Sequence, residues 1–155
     1  MSKKRASISA AIICASFLMA ATSVAAATPG DFGIIIKKKD ISATATFIPY
    51  SYNGLMMEVI AVKASDGTIR TALNTCQICY QSGRGYYKQD GGVFVCQNCG
   101  NRFAVDQVEL IKGGCNPVPI LGDDKTDLGA TIGISKQYLA KVSPYFRVWK
   151  KNVSN

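Results

Sequence analysis

The sequence contains no histidine among its 155 residues. Histidine is the most common general base near neutral pH and the most common nitrogen ligand of protein-bound metals. A haem attached through a Cys-x-x-Cys-His motif is excluded for the same reason. Any metal site after the N-terminal segment must therefore rest mainly on sulfur, and the sequence predicts no catalytic residue and no enzyme.

Long apolar runs are scarce, and the only one of spanning length lies at the start, in MSKKRASISAAIICASFLMAATSVAAATPG. Three basic residues at positions 3 to 5 precede this run, and small residues follow it. That order is typical of a secretory signal peptide. We expect residues 1–27 to be this signal and residues 28–155 to form one exported domain, at the periplasmic or outer face of the cytoplasmic membrane. The alternative is an uncleaved membrane anchor.

Acidic residues are few, with 10 against 18 lysines and arginines, which gives a formal net charge of +8. Three of the bases lie before residue 28 and all the acids lie after it, so the predicted domain keeps an excess of positive charge. The bases are scattered, apart from Lys37, Lys38 and Lys39. No basic and aromatic stripe is present, so no nucleic-acid partner is predicted. The lysine run is suited to contact with anionic lipid.

The first half of the predicted domain is strand-like. Residues 41–50 alternate apolar and polar side chains, 55–64 form a second apolar run, and 68–73 a third. Asn53-Gly54 supplies the positive φ angles of a tight hairpin turn. We therefore expect a three-stranded antiparallel meander after a leading segment, residues 28–39.

The second half of the predicted domain combines a hairpin, a strand and a helix. The hairpin joins RGYYK and VFVC through QDGG, the strand is 130–135, and the helix is 136–142. Ser135 is suited to cap this helix, and Pro144 marks its end. The expected fold class is α+β and β-rich: a meander, a zinc-ribbon-like cysteine hairpin within residues 74–120, then a strand and a short helix.

Four cysteines, Cys76, Cys79, Cys96 and Cys99, have the spacing C-x2-C-x16-C-x2-C. A two-residue gap lets both thiolates of a pair face one ion, and a hairpin between the pairs returns the chain to its starting end. Four sulfurs then surround one point at about 2.3 Å. The spacing predicts a metal site built from two cysteine pairs, with Cys115 as a ligand, a replacement ligand or a redox-active neighbour.

Other uses of these cysteines remain open. Disulfides are common in exported proteins, but five cysteines after the signal leave one unpaired, and a bond within Cys-x-x-Cys stabilises little. A thiol–disulfide oxidoreductase would need its attacking thiol at a helix N-terminus. The spacing suits Zn²⁺ or a single iron, whereas the usual ferredoxin spacings are absent. The signal also lacks an Arg-Arg pair, so export in the folded state with a cluster already bound is not indicated.

A specific resemblance covers about residues 66 to 140. The patterns are CQICY at 76–80, GY at 85–86, CQNCGNRF at 96–103 and GGCNP at 113–117. They resemble the FtrD-like iron–sulfur family of membrane-associated bacterial proteins. The resemblance implies a ferredoxin-like electron carrier outside the cytoplasmic membrane, linked to ferrous-iron uptake and to membrane iron-transport or redox proteins. It also implies an iron–sulfur cluster or single iron at the cysteines, with Zn²⁺ as the alternative.

Several further residues are predicted to surround the cysteines. Aromatic side chains would separate the site from water, and Gly100 would take a left-handed angle after the second pair. Glycines before Cys115 would let the backbone approach the site closely. These predicted surrounding residues are Tyr80, Tyr86, Gly100, Phe103, Gly113, Gly114 and Asn116.

Overall fold

The computed structural model describes residues 28–152, and the predicted signal peptide lies outside these described residues. The described chain is rich in antiparallel β-structure, with short 3-10 turns and one short α-helix near its end. In chain order the elements are β1 (Phe32–Lys37), β2 (Thr46–Tyr52), β3 (Leu55–Lys63), β4 (Ile69–Cys76), β5 (Tyr87–Asp90), β6 (Val93–Cys96), β7 (Arg102–Ala104), β8 (Pro117–Pro119), β9 (Lys125–Asp127), β10 (Thr131–Ser135) and α1 (Lys136–Val142).

The strands form three antiparallel sheets. The central sheet has the order β2-β3-β4-β8, a second has the order β1-β10-β9, and the third has the order β5-β6-β7. The central sheet contains the predicted meander, which is confirmed as β2, β3 and β4. The third carries the second cysteine pair.

Strand β3 explains how the three sheets pack. Its residues from Met57 to Val62 are all buried, as expected for a strand covered on both faces. Met57, Val59 and Ala61 belong to one core cluster, together with residues of β1, β10 and α1. Ile60 and Val62 belong to the other, together with the third sheet and three cysteines. The central sheet therefore separates a cysteine-free core from the core that supports the cysteines.

The strands differ from the sequence expectation in several places, and β4 extends to Cys76 rather than ending at residue 73. Strand β2 begins at Thr46 rather than at residue 41, because Ser42 accepts a hydrogen bond from the backbone N–H of Thr44 at 3.1 Å and holds a local turn. The segment 28–39, expected only as a leading segment, contains β1. This strand pairs with β10 almost a hundred residues later, which no local pattern reveals.

The predicted helix is confirmed as α1, with its cap. The Ser135 hydroxyl accepts a hydrogen bond from the backbone N–H of Tyr138 at 3.1 Å. The chain then continues as a 3-10 turn, Ser143–Phe146, which Pro144 enters in its first turn. This turn buries the Phe146 ring in the cysteine-free core. Within residues 28–152 no helix is long and apolar enough to cross a membrane.

Candidate metal centre

Two turns present the paired cysteines at strand ends. Cys76 is the last residue of β4, and Cys79 begins a 3-10 turn that Gly83 ends at φ 74°. Cys96 is the last residue of β6, and Cys99 precedes Gly100, which also has φ 74°. We call residues 76–83 the first cysteine turn and residues 96–100 the second. The hairpin of β5 and β6 lies between them in the chain.

The five cysteines of the described chain are free thiols and form two overlapping triads. The sulfur atoms of Cys76, Cys79 and Cys96 all lie within 4.8 Å of one another. Those of Cys79, Cys99 and Cys115 also lie within 4.8 Å of one another. We call these the inner and the outer triad. Cys79 belongs to both, so all five sulfurs converge on one region.

Burial distinguishes the two triads. Cys76, Cys79 and Cys96 are buried, whereas Cys115 is half-buried and Cys99 is exposed. The inner triad is therefore shielded by the core of the protein, and the outer triad opens toward solvent.

Backbone geometry fixes the first cysteine turn. The backbone N–H of Cys79 donates to the sulfur of Cys76 at 3.3 Å, and the Gly85 carbonyl accepts from the backbone N–H of Cys76 at 2.6 Å. A Cβ atom at Gly85 would lie 2.6 Å from the carbonyl carbon of Cys79. Because that neighbour is backbone and cannot rotate away, the close approach requires glycine.

The thiols differ in their electrostatic surroundings. Burial acts to raise the pKa of Cys76, but hydrogen bonds from the Tyr87 hydroxyl and from the backbone N–H groups of Cys79 and Ile78 outweigh it and lower the pKa. A backbone hydrogen bond from Asn101 lowers the pKa of the Cys99 thiol.

The pKa values of the other three thiols shift upward, and burial raises the pKa of Cys79. Burial raises the pKa of Cys96 to about 12. The pKa of Cys115 is raised to about 12. The hydrogen bond with Cys99 is the largest cause, and desolvation by burial is the second. Metal binding needs thiolates, so a metal entering this site would displace protons from these three thiols.

Tyr87 is the residue around the site that the sequence analysis missed. Its hydroxyl donates to the Cys115 carbonyl at 2.8 Å and also lies against the Cys76 sulfur, so one hydrogen faces two acceptors. Burial raises the pKa of this hydroxyl far above its ordinary value, which keeps it a donor. Tyr87 lies directly opposite Cys96 in the hairpin, and strand alternation at this pairing is the signal that could have identified it.

A buried polar chain holds Tyr87 in place. The side-chain oxygen of Asn74 accepts from the backbone N–H of Tyr87 at 2.7 Å, and the Asn74 amide donates to the carboxylate of Glu58 at 2.5 Å. Glu58 is 1 % exposed and is paired with Lys151. The indole N–H of Trp149 donates to the backbone carbonyl of Asn74 at 3.0 Å, so the C-terminal segment helps to hold the site in place.

The predicted aromatic residues occupy different places. Tyr80 and Tyr86 are half-buried, and their rings meet Tyr145 and Trp149 edge-on at centroid distances of 5.0 and 6.2 Å. Both therefore pack against the C-terminal segment. Phe103 is buried in the same core cluster as the inner triad.

The predicted glycines act through their backbone angles. Gly100, Gly113 and Gly114 all have positive φ, yet a Cβ at Gly100 or Gly113 would meet no described atom within 4 Å. No protein atom of the described chain therefore requires glycine at position 113 by close approach, and the left-handed angle is what favours glycine there. Asn116 holds this loop by donating from its amide to the Gly113 carbonyl at 2.6 Å.

The donor set fits a metal that prefers sulfur. Both triads consist of thiols alone, with neither carboxylate nor imidazole. Sulfurs bound tetrahedrally to one ion at about 2.3 Å would lie about 3.8 Å apart, and the Cys79 and Cys115 sulfurs are 3.9 Å apart. Thiolates are also the ligands of iron–sulfur clusters. The residues present therefore fit an iron–thiolate or iron–sulfur group, and also Zn²⁺.

Fold and site together define a class: a β-rich protein whose clustered thiols are suited to a thiophilic metal. The model of the FtrD-like family, described as membrane iron–sulfur containing proteins, matches residues 34–146. The chain belongs to this family, as the resemblance in the sequence predicted. No curated protein and no solved structure matches the chain.

Proposed function

We propose that the protein is an exported electron carrier that holds an iron–sulfur cluster or a single iron and serves ferrous-iron transport. The observation that carries this proposal is the convergence of five thiols on one region, with Cys79 common to both triads. Membership of the FtrD-like family supports iron over zinc. The proposed partners are membrane iron-transport or redox proteins.

Each part of the site has a role in this proposal. Cys76, Cys79, Cys96 and Cys99 hold the iron, with Cys115 as a further or replacement ligand. When bound, an iron–thiolate or iron–sulfur group supplies one-electron transfer. The hydroxyl of Tyr87 supports the Cys76 sulfur, and the buried core around the inner triad excludes water from it.

The proposed location follows from the N-terminal sequence. Residues 1–27 have the order of a signal peptide, and residues 28–155 are the proposed exported domain, periplasmic or at the outer face of the cytoplasmic membrane. The family description supports membrane association. The signal, if uncleaved, would supply it as an anchor.

Metal analysis and spectroscopy of protein isolated from its own cell envelope test the proposal. We expect iron in stoichiometric amount and a visible absorption that changes on reduction with dithionite. Acid-labile sulfide then separates a cluster from a single iron. A folded protein that contains zinc, or no metal, and has no visible absorption would contradict the proposal.

A structural zinc-binding module is the second candidate. The hairpin β5–β6 connects the two cysteine turns, as a zinc-ribbon-like arrangement requires, and the sulfur spacing also suits Zn²⁺. In this case the metal would only stabilise the fold, and the same metal analysis decides between the two candidates.

A thiol–disulfide oxidoreductase has less support, because the paired cysteines lie at strand ends and in a 3-10 turn rather than at the start of an α-helix. Reduction of a model disulfide by the metal-free protein would favour it.

A further inference from the structure

Three large apolar side chains are exposed beside the cysteines. Ile78, Leu110 and Ile111 are 63 %, 69 % and 40 % exposed. Ile78 lies within the first cysteine turn, and the other two begin the loop of residues 110–117 that carries Cys115. Clustered exposed apolar side chains commonly mark an interaction site, whereas single ones do not.

Gln77 joins these two segments. Its side-chain oxygen accepts from the backbone N–H of Gly113 at 3.2 Å, and its backbone N–H donates to the Asn116 carbonyl at 3.1 Å. The loop therefore runs alongside the first cysteine turn. Ile78 directly follows Gln77, and Ile111 precedes Gly113 by two residues. We take these two neighbouring segments, with their exposed apolar side chains, as one candidate face of the molecule.

The same face gives access to the thiols. Cys99 is exposed and Cys115 is half-buried, and both lie within 4.8 Å of the buried Cys79. The two solvent-accessible sulfurs are therefore one sulfur–sulfur contact from the inner triad.

The charges of this face have one sign. The segments 76–86, 96–104 and 110–117 contain Arg84, Arg102 and Lys112 and no acidic residue. Arg102 pairs with Asp90 at 2.9 Å, whereas Arg84 and Lys112 form no ion pair within the described chain. Two cations thus remain available to a partner of opposite charge.

We infer that this face docks an acidic redox protein and exchanges one electron with it through the exposed outer triad. We call it the docking face and define it by Ile78, Arg84, Cys99, Leu110, Ile111 and Lys112. The inference rests on the proposed electron-carrier function. With iron bound, the site would give up one electron and the acceptor in the partner would take it up, and no bond would form or break.

The size and charge of the docking face determine the kind of complex. A few apolar side chains with flanking cations suit a small, short-lived interface, as weak electron-transfer complexes have. Charge complementarity then acts mainly on the association rate, which falls with ionic strength. The acidic partner is therefore expected to associate fast at low salt and to dissociate readily.

Stopped-flow oxidation of the reduced, iron-loaded full chain tests the inference. The probes are an acidic and a basic c-type cytochrome, each at low and at near-physiological salt. We expect the acidic cytochrome to react about tenfold faster at low salt and to lose most of this advantage on addition of salt. Lys112→Glu combined with Arg84→Glu should lower its low-salt rate about tenfold.

Apolar variants separate contact from charge. Ile78→Ser and Leu110→Ser should each lower the rate with the acidic cytochrome severalfold. The loss should be the same at both salt concentrations, because these variants remove an apolar contact with the partner and leave the charge unchanged. Ile35→Ser and Lys39→Glu are matched controls in the β1 region, where Ile35 is 47 % exposed, and should leave the rate unchanged. Each variant is compared at equal iron content and with the parent visible spectrum.

Three results would overturn the inference. The first is that the two cytochromes react equally fast at low salt. The second is that the charge-reversed variant keeps the parent rate. The third is that the docking-face cations bind vesicles containing phosphatidylserine while their reversal leaves the cytochrome rates unchanged. The last result would assign the face to a lipid surface. A chain that lacks iron or a reducible absorption instead contradicts the proposed function itself, so the two failures are distinguishable.

Discussion

At the scale of single residues, Cys79 has the largest expected effect, because it alone belongs to both triads. Cys79→Ser removes a ligand from each triad, whereas Cys115→Ser leaves the inner triad and Cys99 in place. We expect Cys79→Ser to abolish iron binding and Cys115→Ser to retain most of it. Iron per chain and visible absorption of the purified variants measure this.

Two further variants complete the comparison of the cysteines. Cys76→Ser and Cys96→Ser each remove a buried thiol of the inner triad and should release the metal and lower the melting temperature, because metal binding is coupled to folding. Unchanged metal content and melting temperature in both would show that the inner triad is not the binding site.

Tyr87 acts through the residues that it contacts. Tyr87→Phe removes the hydroxyl that donates to the Cys115 carbonyl and lies against the Cys76 sulfur, and Asn101 still donates to that carbonyl at 2.8 Å. We expect a loss of about 1 kcal/mol in the free energy of unfolding. The reduction potential should also fall, because a hydrogen bond to a ligating sulfur favours the reduced state.

Tyr86→Phe is the matched control for Tyr87→Phe. Tyr86 lies directly before β5 and its ring packs against Trp149, so this change should leave the potential as it is. Equal potentials in the two variants would restrict Tyr87 to a role in packing.

At the scale of elements, the turn between β3 and β4 is held by one carboxylate. Asp66 accepts hydrogen bonds from the hydroxyl of Thr68 at 2.6 Å and from its backbone N–H at 2.9 Å, and pairs with Arg70 at 2.5 Å. The bonds from Thr68, ahead of the charge of Arg70, lower the pKa of Asp66 from 3.8 to about 2.

This lowered pKa sets a pH window. A group with a lower pKa in the folded state stabilises the fold above its unfolded pKa and loses that contribution as pH falls through the folded pKa. Asp66→Asn should therefore reduce the free energy of unfolding at pH 7, and the difference from the parent should shrink between pH 4 and about 2. Denaturant unfolding at several pH values measures it. A difference that stays constant over this range would contradict the expectation.

The elements also differ in how well the sequence predicts them. The helix 136–142 and its Ser135 cap follow from local spacing and cap chemistry, and both are confirmed. The pairing of β1 with β10 joins distant segments whose apolar patterns match many partners equally well. Local rules therefore predict single elements, whereas the packing of the whole chain selects their pairing.

At the scale of the whole molecule, the two core clusters predict partial unfolding on metal loss. The cluster with β1, β10 and α1 contains no cysteine, whereas the other contains Cys76, Cys79 and Cys96. Removing the metal should loosen the third sheet and leave the cysteine-free core folded, because each unit opens according to its own contacts.

Hydrogen exchange of the loaded and metal-free proteins tests this. Amides of β5, β6 and β7 should lose protection on metal removal, while those of β1, β10 and α1 should retain it. Equal loss in both groups would mean that the two cores unfold as one unit.

The sequence alone determined the absence of imidazole ligands, the cysteine spacing, the meander and the helix, because each depends on residue chemistry or on neighbours a few positions apart. Only the tertiary structure decided that Cys79 is shared between two triads and that Tyr87 rather than Tyr86 faces the sulfurs. It also placed the loop that carries Ile111 beside the first cysteine turn that carries Ile78. These features depend on which distant strands and loops pack together, and the free energy of that packing is a property of the whole chain.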